Sequence, residues 1–258
     1  MTRVALVTGA ARGIGAAVVR RLVAEGWSVV ATDVCTDDPA VAYALATRAE
    51  LDALSSLGDV TTSVADVRDL AALAAAVALA ESTYGGLDAA FAVAGVIAGG
   101  APHWETSPAG EDVVLDVDLR GVLNLARVAV PAMLRRAEPR SGRFVAVASA
   151  AAVTGLPRLA AYCAAKAGVA GFVRGLAADL RGTGVTANAI GPGSTDTAML
   201  AESARLYGLG SVQEFAAQQP VERLLTPDEV AAAAVWLAGE DAGGITGALL
   251  PVDGGLSL

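Results

Sequence analysis

The chain has 258 residues, 54% of them hydrophobic, and a net charge of −9. That length and apolar content suit one buried α/β core, and the acidic balance argues against nucleic acid or an anionic membrane surface as partners. Two distant cysteines, Cys35 and Cys163, and a single histidine, His103, exclude a disulfide framework and a zinc site of the usual spacing.

In chain order, short β-branched runs alternate with Ala-rich helical patterns. Met1-Thr2-Arg3 leads into an apolar run with no signal peptide, and residues 3–8 predict a strand. Residues 13–25 predict a helix, 28–33 a strand, 60–65 a weaker strand, 70–84 a helix and 87–93 a strand. A long helix is expected over 111–136, then a strand over 143–148, a helix over 160–181 and a strand over 185–190. A helix over 227–238 and a strand over 247–252 complete the set. The most apolar stretch, 70–80, is Ala-dominated and flanked by Asp69 and Glu81, so no membrane span is expected and the chain reads as cytoplasmic.

This alternation predicts a single Rossmann-like, doubly wound parallel sheet with helices on both faces. Its strands are near-continuous apolar runs, as burial on both sides requires. No linker or repeat divides the chain, so 1–258 is read as one domain. Two stretches interrupt the rhythm. One is an insertion at about 35–58, with a turn at Thr36-Asp37-Asp38-Pro39 and an extra helix over 47–57. The other is a strandless excursion at about 194–226. Long excursions in compact domains are commonly lids or binding loops.

The segment Thr8-Gly9-Ala10-Ala11-Arg12-Gly13-Ile14-Gly15 follows the first strand and opens the first helix. Glycines there let the backbone approach a pyrophosphate, and the helix start supplies free N–H groups. Asp33 follows Gly15 by 18 residues at the end of the second strand, where an acid accepts from ribose hydroxyls and repels a 2′-phosphate. Arg12, in the glycine turn, counts toward NADP only through contact with a phosphate, and no Arg directly follows Asp33. NAD is therefore expected over NADP.

Lys166 is the only lysine in the chain, and it follows Tyr162 by four residues. On a helix this spacing points phenol and ammonium at one site. A nearby cation favours phenolate, and a phenol so tuned can exchange a proton with a substrate oxygen.

With these pieces the chain resembles the classical short-chain dehydrogenase/reductase family almost end to end. The glycine turn matches TGxxxGxG, Asp66-Val67 the acid-apolar pair that holds adenine, and Tyr162 to Lys166 the YxxxK motif. Ser149 lies 13 residues before Tyr162, as the family's serine does. Ala94-Gly95 stands where the family approaches the cofactor ribose. Pro192-Gly193, with Thr195 and Thr197, matches the segment that contacts nicotinamide, and Val252-Asp253-Gly254-Gly255 a C-terminal signature. The resemblance implies hydride transfer between an alcohol or ketone and NAD, with Tyr162 as general acid/base, Ser149 positioning the substrate oxygen and Lys166 tuning the phenol. It also implies a homotetramer formed through the last helix and strand. The insertion, with Tyr43-Ala44-Leu45-Ala46-Thr47, looks like that of the mycofactocin-associated subgroup, in which it covers NAD and electrons leave to mycofactocin. The other reading of this insertion is a longer loop with no such role.

The sequence departs from the family twice. Ala92-Val93-Ala94-Gly95 replaces Asn-Asn-Ala-Gly, which costs a structural hydrogen bond. In Val117-Asp118-Leu119-Arg120-Gly121, Asp118 takes the place of the active-site Asn. Asp118 either relays protons in its protonated form or pairs with Lys166 directly; Asn124 faces elsewhere on the helix. If Asp118 disables the relay, the alternative function is a non-catalytic NAD-binding sensor. The substrate pocket is expected from 96–104, 151–157 and 195–215, with Trp104, Leu156, Met199, Leu200, Leu206 and Tyr207. Its apolar character suggests a hydrophobic alcohol or ketone, with His103 on the surface.

Overall fold

The computed structural model describes residues 2–258. Seven strands form one parallel sheet: β1 (Val4–Thr8), β2 (Ser28–Asp33), β3 (Val60–Val64), β4 (Ala89–Ala92), β5 (Arg143–Val147), β6 (Thr186–Pro192) and β7 (Leu249–Val252). Their order is β3-β2-β1-β4-β5-β6-β7. The strand order reverses between β1 and β4, so their carboxyl ends diverge into a crevice, the usual ligand site of such sheets.

The strands' period of two sorts their side chains onto two cores. Val4, Leu6, Phe144 and Ala146 face α3 (Leu70–Tyr84), α5 (Gly121–Leu134) and α6 (Ala160–Asp179). Ala5, Val7, Val145 and Val147 face α1 (Gly13–Ala24) and α8 (Pro227–Ala238). Alanine on these helix faces lets them approach the sheet closely. Thr226 caps α8 in a reciprocal box with Glu229, with Pro227 at its first turn.

The insertion contains α2 (Arg48–Ala53), capped by Thr47 and Glu50 in the same way, and a 3₁₀ turn, Leu54–Leu57. The later excursion contains α7 (Ala198–Tyr207). The helix expected over 111–136 differs from expectation. It starts earlier as α4 (Pro108–Val114), capped by Ser107, and widens into a π-helical turn at Leu115–Arg120 before α5. Asp118 lies inside that turn, and such turns gather at functional sites.

Candidate active site

A cavity of about 1010 Å³ opens at the carboxyl ends of the strands. Gly9, Arg12, Gly13, Ile14, Gly15, Asp33, Asp66, Val67, Ala94, Gly95, Ser149, Tyr162, Lys166, Pro192, Gly193, Thr195 and Thr197 all line it. Asp118 does not; it is fully buried behind Lys166.

The nucleotide end is built by the turn after β1. Gly9 has φ +64°, and a Cβ there would lie 2.6 Å from the Ala94 backbone. A Cβ on Gly15 would collide with the Gly9 carbonyl. Glycine at these positions is thus a packing requirement. The N-cap of α1, Arg12, makes no side-chain capping bond, so the helix start is open to an anion. Asp33 accepts from Ala11 N at 3.0 Å through Oδ2 and from Val34 N at 2.8 Å through Oδ1, leaving lone pairs on both oxygens for ribose hydroxyls. Burial pushes the Asp33 carboxyl up, with the two N–H bonds and Arg12 opposing. The open helix start, the glycine cradle and the carboxylate fit a dinucleotide. Nearby, Asn124 is buried and donates to the Val67 carbonyl at 3.0 Å, which fixes the wall beside Asp66. The Thr8 hydroxyl joins β1 to the end of β4, accepting from Val93 N at 3.2 Å.

The insertion forms one wall of this cavity through Asp38, Val41, Tyr43, Leu45 and Ala46. Three polar contacts fasten this wall. Arg12 Nη2 donates to the Ala44 carbonyl at 2.7 Å. Ile97 N donates to Tyr43 Oη at 3.3 Å. Arg68 pairs with Asp38 at 2.7 Å while also holding Asp66 at 2.7 Å. Burial pushes the Tyr43 phenol well above its ordinary value.

At the other end, Ser149 leaves β5 with an extended backbone and its Oγ accepts from Ala151 N at 3.1 Å. Tyr162 lies in the first turn of α6 and Lys166 one turn later, both buried, with Nζ 5.5 Å from the phenol ring centroid. Lys166 Nζ donates to the Val147 carbonyl at 3.2 Å. It lies 3.1 Å from Asp118 Oδ2, at ion-pair distance but off the axis of an aligned hydrogen bond. Asp118 Oδ1 accepts from Val96 N at 2.8 Å. Of the two readings of Asp118, direct pairing is the observed arrangement. Burial pushes the Asp118 carboxyl up, and the ammonium and the Val96 N–H pull it back. Burial disfavours the Lys166 ammonium, yet Asp118 and Tyr162 hold its pKa above the ordinary value. Burial also raises the Tyr162 phenol; Lys166 and the Ser149 hydroxyl lower it, and Asp118 raises it further. The lysine therefore counteracts burial rather than bringing the free phenol below its usual value.

Beyond β6, Gly193 is walled in by Gln219 and the Asp253 carbonyl. Gln219 is buried and accepts from Ser194 N at 2.8 Å. Asp253 Oδ1 in turn accepts from Gly255 N at 2.9 Å, so the C-terminal signature buttresses the cavity. Gln219 carries no sequence signal that marks it for this place. Val96, Ile97, Leu156, Met199, Leu200, Tyr207 and Phe215 supply an apolar wall. Two expected wall residues lie elsewhere: Trp104 is 84% exposed outside the cavity, and Leu206 packs against the core. His103 is on the surface, 3.8 Å from Glu111.

The model of the family described as enoyl-(acyl carrier protein) reductase matches residues 9–257. The cis-4-hydroxycyclohexanecarboxylate dehydrogenase of Sinomonas cyclohexanicum is 38% identical, over 98% of this chain and 96% of that protein. The (−)-trans-carveol dehydrogenase of Rhodococcus erythropolis is 35% identical, over 99% and 98%. The crystal structure of carveol dehydrogenase from Mycobacterium avium in complex with NAD superposes with a TM-score of 0.92, at 28% identity and covering 98% and 97% of the two chains. The chain belongs to the short-chain dehydrogenase/reductase family of oxidoreductases.

Proposed function

We propose that this protein is an NAD-dependent dehydrogenase/reductase interconverting a hydrophobic secondary alcohol and its ketone. The observation that carries the reading is one cavity bounded by the glycine turn and Asp33 at one end and by Ser149, Tyr162 and Lys166 at the other. Bound NAD supplies the hydride acceptor or donor at nicotinamide C4. Tyr162 exchanges the proton of the substrate oxygen, Ser149 holds that oxygen, and Lys166 favours the phenolate. Asp33 favours NAD over a cofactor bearing a 2′-phosphate. Two relatives are named for ring alcohols, and the apolar wall supports a carbocyclic alcohol or ketone here.

The fastened insertion supports a further element: NAD stays bound through the cycle, and electrons leave to an external carrier, mycofactocin. The two cysteines, both free, agree with a cytoplasmic protein. A homotetramer formed through α8 and β7 is supported by Trp236 on α8, which is 45% exposed; light scattering that returns the mass of one chain removes it.

The test begins with purified protein, denatured without added cofactor, and NAD quantified by mass spectrometry. Near-stoichiometric NAD supports retention. An empty protein that binds and releases added NAD makes the insertion an ordinary wall. Tyr162→Phe is expected to keep NAD and lose turnover by about 10²-fold or more. A parent protein inactive on every alcohol, with and without an artificial electron acceptor, favours the non-catalytic sensor.

A further inference from the structure

Five cations line the cavity: Arg12, Arg20, Arg68, Arg158 and Lys166. Four are engaged. Arg12 bonds the Ala44 carbonyl, Arg20 pairs with Asp228, Arg68 with Asp38 and Asp66, and Lys166 with Asp118. Among the described residues, the Arg158 guanidinium has neither an ion pair nor a hydrogen bond. None of the lining acids, Asp33, Asp38, Asp66 and Asp196, is within ion-pair distance of it.

Arg158 precedes Tyr162 by four residues and stands between Pro157 and Leu159, which also line the cavity. Its φ is +61°, a left-handed conformation that a side chain with a Cβ adopts at a cost. Long-range contacts hold it there. Its carbonyl accepts from Gly100 N at 3.1 Å, Leu159 is buried, and Tyr207 Oη donates to the Pro157 carbonyl at 2.8 Å. The base of the side chain is therefore fixed between two walls of the substrate end while its head stays exposed. Its charge is felt at the Tyr207 phenol, which it lowers against the effect of burial.

A strained, non-glycine residue at a cavity edge suggests selection for its side chain rather than its backbone. The neighbouring wall is apolar. A free guanidinium beside such a wall suits a ligand with an apolar frame and one planar anion, because its fork matches a carboxylate in bidentate fashion. We propose that Arg158 is a specificity residue that binds a substrate carboxylate. The substrate class is then a hydroxy acid or keto acid whose apolar frame separates the carboxylate from the carbon facing Tyr162. This assignment rests on the oxidoreductase reading above.

The test uses two non-oxidisable probes of equal shape, cyclohexanecarboxylate and cyclohexanecarboxamide, titrated calorimetrically into the protein with saturating NAD. The wild type is expected to favour the carboxylate by about tenfold or more. Arg158→Gln, which keeps a Cβ and hence the same backbone demand, is expected to abolish the preference; Arg158→Lys is expected to retain part of it. Equal affinities in the wild type, no binding of the carboxylate, or an undiminished preference in Arg158→Gln overturns the assignment. Turnover separates the two readings. Carboxylate binding that depends on Arg158, without oxidation of 4-hydroxycyclohexanecarboxylate or any other alcohol both with and without an artificial electron acceptor, keeps the subsite and removes the dehydrogenase.

Discussion

Asp118 places a second charge beside the only lysine, so its effect on Tyr162 has a definite sign. Its carboxylate opposes phenolate and so raises the Tyr162 pKa. Alcohol oxidation needs the phenolate. Asp118→Asn removes the opposing charge, and the rising limb of the oxidation pH profile is expected to move to lower pH. An unchanged kcat/KM profile removes Asp118 from the mechanism. The amide can keep the bond from Val96 N and still face Lys166, so the stability loss in denaturant is expected to stay below the about 3–5 kcal/mol of a broken buried pair. At this scale the sequence was informative where chemistry depends on close spacing. Tyr162 and Lys166 share a helix face by arithmetic alone. Arg158 was not legible, because the contacts that hold its positive φ come from Gly100 and Tyr207, both far from it in sequence.

Among the elements, the insertion shows both what local sequence reveals and what it hides. The α2 start was readable from Thr47 and Glu50, a capping pair three residues apart. The fastenings were not, since Arg12–Ala44, Tyr43–Ile97 and Arg68–Asp38 each join residues at least 30 positions apart. Arg12→Ala severs the bond between the glycine turn and the insertion without touching the catalytic residues. A hydrogen bond from a charged donor contributes about 1.5–3 kcal/mol; NAD dissociation, followed by chase with labelled NAD, is expected to accelerate by about tenfold or more. An unchanged rate would show that the bond does not retain the cofactor. The π turn at Leu115–Arg120 was hidden for another reason. Its residues include no glycine or proline to mark a break, and the widening is visible only in the backbone, which sets Asp118 against Lys166 and Val96.

For the whole molecule, the parallel sheet was legible because strands buried on both faces read as apolar runs between helical patterns. The faces on which the helices lie follow from strand periodicity once the order is known, but the order itself depends on pairings across the chain. The cavity is the sum of segments that follow all seven strands and of both excursions, so no single segment outlines it.

The uniqueness of Lys166 has a practical consequence. It is the chain's sole ε-amine, it is 3% exposed, and it sits on the cavity wall. Among amines, an amine-selective acylating reagent thus has one side-chain target, reachable only through the cavity. The native protein is expected to gain a single acyl group on its amines while NAD fills the cavity from end to end and a second when the cavity is emptied. Intact-mass spectra would then count open and closed molecules directly, with no substrate required; equal labelling in both states would show that the amine is guarded by Asp118 and the fold instead.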